Sequence, residues 1–167
     1  MKNLLLLASF AMLCLGANAQ KIVSGSLSPV KNAEKINFVV DYSKTSFNGK
    51  NEAAFSEYEE DWQKDKPEVI DYILAGVRDN MKGKISFGEF ADAEYTLTIY
   101  PIEIERKGDT EAEATITDKQ GNVICSMKDF EGEGGTFGTK LNLIKDGAKE
   151  LGQNVGKFLK KQIRKAK

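Results

Sequence analysis

The stretch from Glu111 to Lys128 constrains this chain more than any other part of it. Ala112, Ala114 and Ile116 alternate with polar residues, the turn sequence Asp118-Lys119-Gln120-Gly121 follows, and Val123, Cys125 and Met127 alternate again. A period of two places successive side chains on opposite faces, so two such runs joined by a Gly-containing turn predict an antiparallel hairpin with one apolar face. Pairing residues whose numbers sum to 239 sets Ile116 against Val123, Ala114 against Cys125 and Ala112 against Met127. The same register sets Glu111 against Lys128, an attractive cross-strand pair. A hairpin with one apolar face needs a cover, and the rest of the sequence has to supply it.

The cover is legible as helical stripes. Residues 51–65 carry Ala54, Phe55, Tyr58 and Trp62 at helical spacing, with Glu57, Glu59, Glu60 and Asp61 on the other side. Pro67 suits the first position of a second helix, where its missing N–H would be unpaired in any case. That helix shows Val69, Ile70, Ile73, Leu74, Val77 and Met81 on one face and a stop at Gly83. From Lys140 a long helix runs nearly to the end on the stripe Leu141, Ile144, Ala148, Leu151, Val155, Leu159 and Ile163. Gly147, Gly152 and Gly156 each cost it about 1 kcal/mol relative to alanine. Gly152 and Gly156 flank the stripe, which predicts close approach to the sheet as the offset.

Further strands are expected at 36–42 (INFVVDY) and 95–106 (YTLTIYPIEIER), with a short strand or turn at 85–90. In the long strand Tyr95, Leu97 and Ile99 share one phase, whereas Tyr100, Ile102 and Ile104 share the other. Proline cannot donate to a ladder, so Tyr100-Pro101 predicts a bulge or an edge position. Residues 20–35 read as an extended arm with room for a short strand at Ile22-Val23, and residues 131–139 (EGEGGTFGT) as a glycine-rich loop. The expected fold is one α+β domain over 36–167. A mainly antiparallel sheet of four to five strands packs in it against two central helices and the C-terminal helix.

The first nineteen residues have the form of a secretory signal peptide. Lys2 precedes the apolar run Leu4–Leu15, and Ala17-Asn18-Ala19 provides small residues for cleavage before Gln20. The run is short for a bilayer span. Cys14 lies in mid-run after Leu13, which suits an ordinary leader cysteine and not a lipidation site. The expected location is therefore the periplasm or the outside of the cell.

Without the leader the chain has 148 residues, enough for one sizeable core. It retains one cysteine, Cys125, so the core and not a disulfide must hold the fold, and Cys125 itself reads as a buried strand thiol. Loss of Lys2 leaves 23 basic and 25 acidic residues, a net charge of −2 that gives no steering toward nucleic acid. The chain has no histidine, which removes His-dependent triads and most zinc sites. No residue pattern points to a cofactor or metal, and no catalytic residue is assignable.

The candidates that remain concern binding. Trp62, Tyr58 and Tyr100 could form an aromatic ligand pocket. Gly134, Gly135 and Lys140 stand where a glycine-rich loop enters a helix, a place suited to anions. The order Gly138-Thr139-Lys140 departs from the phosphate-loop pattern, however, and Glu131 and Glu133 oppose an anion. Glu103, Glu105, Glu111 and Glu113 near Asp109 have no EF-hand spacing. After Glu150 the chain has no acid but carries Lys157, Lys160, Lys161, Arg164, Lys165 and Lys167. Such residues stabilise a helix C-terminus, and they could also dock on anionic lipid or on an acidic partner, including the acidic segment 57–61 of a second copy.

The leader ending Ala-Asn-Ala-Gln resembles those of Bacteroidota envelope proteins. The order of long strand, hairpin around Asp118-Lys119-Gln120-Gly121-Asn122-Val123, glycine-rich loop and terminal helix, over 67–163, resembles small envelope domains related to the N-terminal domain of TolB. That resemblance implies a mixed sheet backed by helices and a binding or assembly role in the envelope. It implies no catalytic residue. The expected function is a non-catalytic binding or assembly protein whose partner is another envelope protein or a second copy. The alternatives are a carboxylate-based glycan hydrolase and a peripheral anionic-lipid-binding module.

Overall fold

The computed structural model describes residues 19–166. The expected leader up to Asn18, and Lys167, lie outside them. In chain order the elements are β1 (Lys21–Gly25), β2 (Lys35–Val40), β3 (Ser46–Phe47), α1 (Glu52–Tyr58), α2 (Trp62–Met81), β4 (Ser86–Gly88), β5 (Tyr95–Ile104), β6 (Thr110–Asp118), β7 (Val123–Gly132) and α3 (Lys140–Lys165). The sheet order is β1-β7-β6-β5-β2-β4, and β3 joins β5 beyond the end of β2.

The sheet thus has seven strands instead of four or five, and it is mixed. Strands β1, β7, β6 and β5 form an antiparallel series. Strand β2 runs parallel to both β4 and β5, and β3 runs parallel to β5. The cause is the excursion between β2 and β4. A chain that leaves one strand, crosses the sheet as a helix and returns beside it must re-enter parallel. The arm adds β1 at one edge, and Leu27 and Val30 after it are buried in the core.

The hairpin forms, but in another register. Ile116 pairs with Cys125 and not Val123, Ala114 with Met127 and not Cys125, and Ala112 with Phe130 and not Met127. The turn sets this. The Asp118 carboxylate accepts hydrogen bonds from the Gln120 N–H, the Asn122 N–H and the Asn122 side-chain amide at 2.8–2.9 Å. Those bonds, the Asn122 amide foremost, hold its carboxyl below the usual carboxylate range. The wider turn pairs Val123 with Thr117 and leaves it 58% exposed, and a bulge at Ile124 restores the inward phase for Cys125 and Met127. A second irregularity falls beside Asp129, at φ 63°, so Glu111 faces Glu131 and not Lys128. A slip of two residues keeps Ala114, Ile116, Cys125 and Met127 inward, which is why alternation alone could not choose the register; Val123, expected inward, faces solvent instead.

Cys125 is fully buried, and burial pushes its thiol up from the ordinary range. Its reaction with an aromatic disulfide reagent is expected to be about a hundredfold slower, or more, in the native protein than in denaturant. Rapid native labelling, or a disulfide-linked dimer, would contradict this placement.

Pro101 does mark a bulge: the β5–β6 register shifts between Pro101 and Glu103, leaving Ile102 40% exposed. It falls in the gap between the last β2 pair, Val40 with Ile99, and the first β3 pair, Ser46 with Glu103. Its carbonyl accepts from Thr45 Oγ1 at 2.7 Å.

The first helix pair breaks earlier than Pro67. Helix α1 ends at Tyr58, α2 starts at Trp62, and Pro67 lies inside α2. The turn at 59–61 lets Phe55 and Trp62 both point into the core, and that burial outweighs the single helical bond that Pro67 forgoes.

Helices α2 and α3 cover the inward sheet face, and the seven residues of the expected α3 stripe are all buried. The glycines serve a different contact from the one expected. A Cβ on Gly152 would lie 2.1 Å from the Ile73 carbonyl oxygen of α2, and one on Gly76 of α2 would lie 2.6 Å from the Lys149 carbonyl oxygen of α3. Gly152 and Gly156 therefore seat α3 against α2 and not against the sheet. Nearby, Lys145 Nζ bridges Glu68 at 2.7 Å and Asp65 at 3.2 Å. The Glu68 hydrogen bond, before the others, raises the lysine above its usual range, so on the alkaline side this bridge persists until pH climbs through that raised value.

Candidate functional site

The expected aromatic pocket is divided by the fold. Trp62 has no exposed surface: it meets Tyr42, Phe47 and Phe55 ring-to-ring at 5.6, 5.0 and 5.4 Å. Its indole N–H donates to Glu52 at 3.0 Å, and Glu52 also takes Lys66 at 2.6 Å. Burial, with Glu52 nearby, pushes the Tyr42 phenol well above its ordinary range. This is a core cluster. Tyr100 pairs with Glu113 on the opposite face of the sheet, away from the helices.

Tyr58 and Lys140, by contrast, come together. Lys140 Nζ stands 4.1 Å from the Tyr58 ring centroid and pairs with Glu59 at 2.6 Å. Both line a cleft of about 420 Å³ with Phe47, Asn48, Lys50, Phe55, Ile104, Glu105, Arg106 and Ile144. Its floor is rigid, with Phe47 and Phe55 buried and stacked at 4.5 Å and 13° between planes. Its rim is polar. Sequence reasoning missed Asn48, Lys50 and Arg106. The signal for the first two was the dipeptide Asn48-Gly49, which takes φ 50° and φ 81° in a two-residue turn. Phe47 and Lys50 exchange backbone hydrogen bonds across that turn, and the Asn48 N–H donates to Ile104.

The glycine loop makes no anion cradle. The Gly134 N–H donates to Asp109 Oδ1 at 2.8 Å, and the Glu133 N–H to Glu150 Oε2 at 3.2 Å, so carboxylates of the chain already take these donors. A Cβ on Gly134 would meet the Lys107 carbonyl oxygen at 1.9 Å, and one on Gly135 would meet Asp146 at 2.4 Å. These glycines are required by packing. Thr139 caps α3 by accepting from the Asn142 N–H.

At the other end of α3 lies the basic surface. Lys157, Lys160, Lys161, Arg164 and Lys165 are exposed and line one groove with Asn80 of α2, about 490 Å³ in volume. Lys31 and Lys84 border Arg164 in an adjoining hollow, and Lys31 Nζ caps the helix at the Ala166 carbonyl, 2.9 Å away. Ion pairs among the described residues involve Lys21, Lys35, Lys66, Lys82, Lys140 and Lys145, and none of the five cations in the groove. The described residues hold no cluster of three His, Cys, Asp or Glu fit for a metal ion. No helix among them is long and apolar enough to cross a membrane.

No protein-family model matches this chain, and no curated protein matches it. Among solved structures it is similar to the PelC dodecamer from Paraburkholderia phytofirmans, with 12% identity and a TM-score of 0.44, over 81% of this chain and 97% of that one. A point variant of the same PelC dodecamer gives 13% identity and a TM-score of 0.43, over 84% and 98%. At that distance the likeness assigns no residue of this chain a role.

Proposed function

We propose that this is an exported, non-catalytic binding or assembly protein of the cell envelope that docks through the basic end of α3 on an anionic surface. One observation carries the reading: five exposed cations share a groove and none is paired with a described acid. A helix C-terminus needs one or two cations to offset its partial negative charge, and Lys31 already caps the last turn. The surplus suits a target of high negative charge density, such as a membrane rich in anionic headgroups or an acidic protein face. The apolar stripe of α3 is spent on the core, so any membrane contact rests on charge and stays at the surface.

The test compares the mature protein with a variant carrying Lys157→Gln, Lys160→Gln, Lys161→Gln, Arg164→Gln and Lys165→Gln. Vesicles with 30% anionic phospholipid are expected to sediment the wild type at low salt, less of it at physiological salt, and the variant at least about tenfold less. Light scattering in the same buffers reads self-association. Patch dependence in sedimentation indicates a membrane surface, and patch dependence in scattering alone indicates a second copy. If the variant matches the wild type in both assays at low salt, the basic end is only a solvated helix terminus. A glycan-directed reading has a separate foothold in the cleft at the other end of α3.

A further inference from the structure

We propose that the cleft between Tyr58, Lys50 and Arg106 binds a saccharide bearing a carboxylate. The inference is independent of the basic end of α3. Lys140 and Lys157 are 17 positions apart on one helix, or about 26 Å at 1.5 Å per residue.

Four features of the cleft converge on that ligand. Its volume, about 420 Å³, lies in the range of small-molecule sites and has room for one or two sugar rings. Tyr58 is 64% exposed even with Lys140 at 4.1 Å and Lys50 at 5.8 Å from its ring centroid, and so presents aromatic surface to the apolar face of a sugar. The rim mixes donors and acceptors: the Asn48 amide, the Glu105 carboxylate and the Arg106 guanidinium can each meet hydroxyl groups. The charges sum to one positive, with Lys50, Arg106 and Lys140 against Glu105 and the Glu59 that pairs with Lys140. A carboxylate carries a single negative charge and matches that sum. A phosphate, with nearly two, would face Glu105 without compensation.

Lys50 and Arg106 have no acid partner among the described residues, so the ligand carboxylate need displace no existing ion pair to reach them. Arg106 provides the planar fork that binds carboxylates through two hydrogen bonds. The scaffold is preorganised. The Asn48-Gly49 turn fixes Lys50, the stacked Phe47 and Phe55 fix the floor, and Glu59 fixes Lys140.

The test is isothermal titration of the mature protein with trigalacturonate, and with maltotriose and inorganic phosphate as comparison probes. Trigalacturonate is expected to bind saturably, at least tenfold more tightly than maltotriose and than phosphate. Tyr58→Ala alone, and Lys50→Gln with Arg106→Gln, are each expected to weaken it at least tenfold. All three side chains are exposed, and unchanged circular dichroism confirms that the variants fold. The five-fold Gln variant at the end of α3 is expected to bind trigalacturonate as the wild type does. The proposal is overturned if trigalacturonate fails to bind, if maltotriose or phosphate binds equally well, if the cleft variants bind unchanged, or if binding is lost in the α3 variant instead.

Discussion

Gly152→Ala is expected to destabilise this protein by about 3 kcal/mol or more, although alanine is the better helix former by about 1 kcal/mol. The sign is decided at the α2–α3 crossing. A Cβ at position 152 would lie 2.1 Å from the Ile73 carbonyl oxygen and 2.8 Å from its carbonyl carbon. Both atoms belong to the α2 backbone and cannot rotate aside. The helices would have to separate, loosening the core that Ile73 and Val77 of α2 share with Leu151 and Val155 of α3, all of them buried. Gly156→Ala is a graded control. Its new methyl would sit 2.9 Å from the Asn80 Cβ and from the Val77 carbonyl oxygen, so a smaller loss, about 1–2 kcal/mol, is expected. Urea denaturation followed by circular dichroism measures both, provided the slope is unchanged between variants. A Gly152→Ala protein as stable as the wild type would show that the two backbones do not meet there.

Trp62→Ala is expected to cost about 3–5 kcal/mol, the range for deleting a large buried aromatic. Trp62 is enclosed by Tyr42, Phe47 and Phe55, and its loss removes three edge-on ring contacts at once. It also takes one donor from Glu52, leaving that carboxylate to Lys66. Trp62→Phe refills part of the volume and is expected to recover about half of the loss. Thermal melts read by circular dichroism are the appropriate measurement, because Trp62 is the chain's one tryptophan and the tryptophan fluorescence is lost with it. Phe47 and Phe55 form the floor of the Tyr58 cleft, so Trp62→Ala should also weaken trigalacturonate binding at temperatures where the variant stays folded. A stability loss under about 1 kcal/mol would mean that the aromatic cluster does not pack as described.

The binding candidates were legible unevenly. Lys140 could be singled out as a cation beside a loop and Tyr58 as an aromatic on the apolar stripe of a helix; the structure turns Tyr58 out to solvent instead, 64% exposed, and brings Lys140 to 4.1 Å from its ring. Trp62 and Tyr100 belong to the same residue class, yet one is sealed in the core and the other lies across the sheet. Residue type records what a side chain can do but not which side of a sheet it reaches. The groove at the end of α3 was the most readable feature, because its cations all sit on one helix at spacings of one to four residues.

What the sequence by itself determined is what one strand or one helix encodes. Alternation in β6 and β7 marked Ala112, Ala114, Ile116, Cys125 and Met127 correctly as inward but Val123 wrongly, and the period of α3 marked seven buried positions while missing Phe158. These signals are local, because period two and period 3.6 are properties of a single backbone segment. The tertiary structure alone decided the relations between segments. It set the hairpin register, through the bonds that Asp118 makes across its turn. It made the sheet mixed, because the excursion through α1 and α2 returns the chain parallel to β2. It chose α2 as the surface against which Gly152 rests. It also assembled the cleft from residues 47–58, 104–106 and 140–144. These stretches are far apart in the chain and meet only where β3, the end of β5 and the start of α3 converge, a juxtaposition that no local period can record.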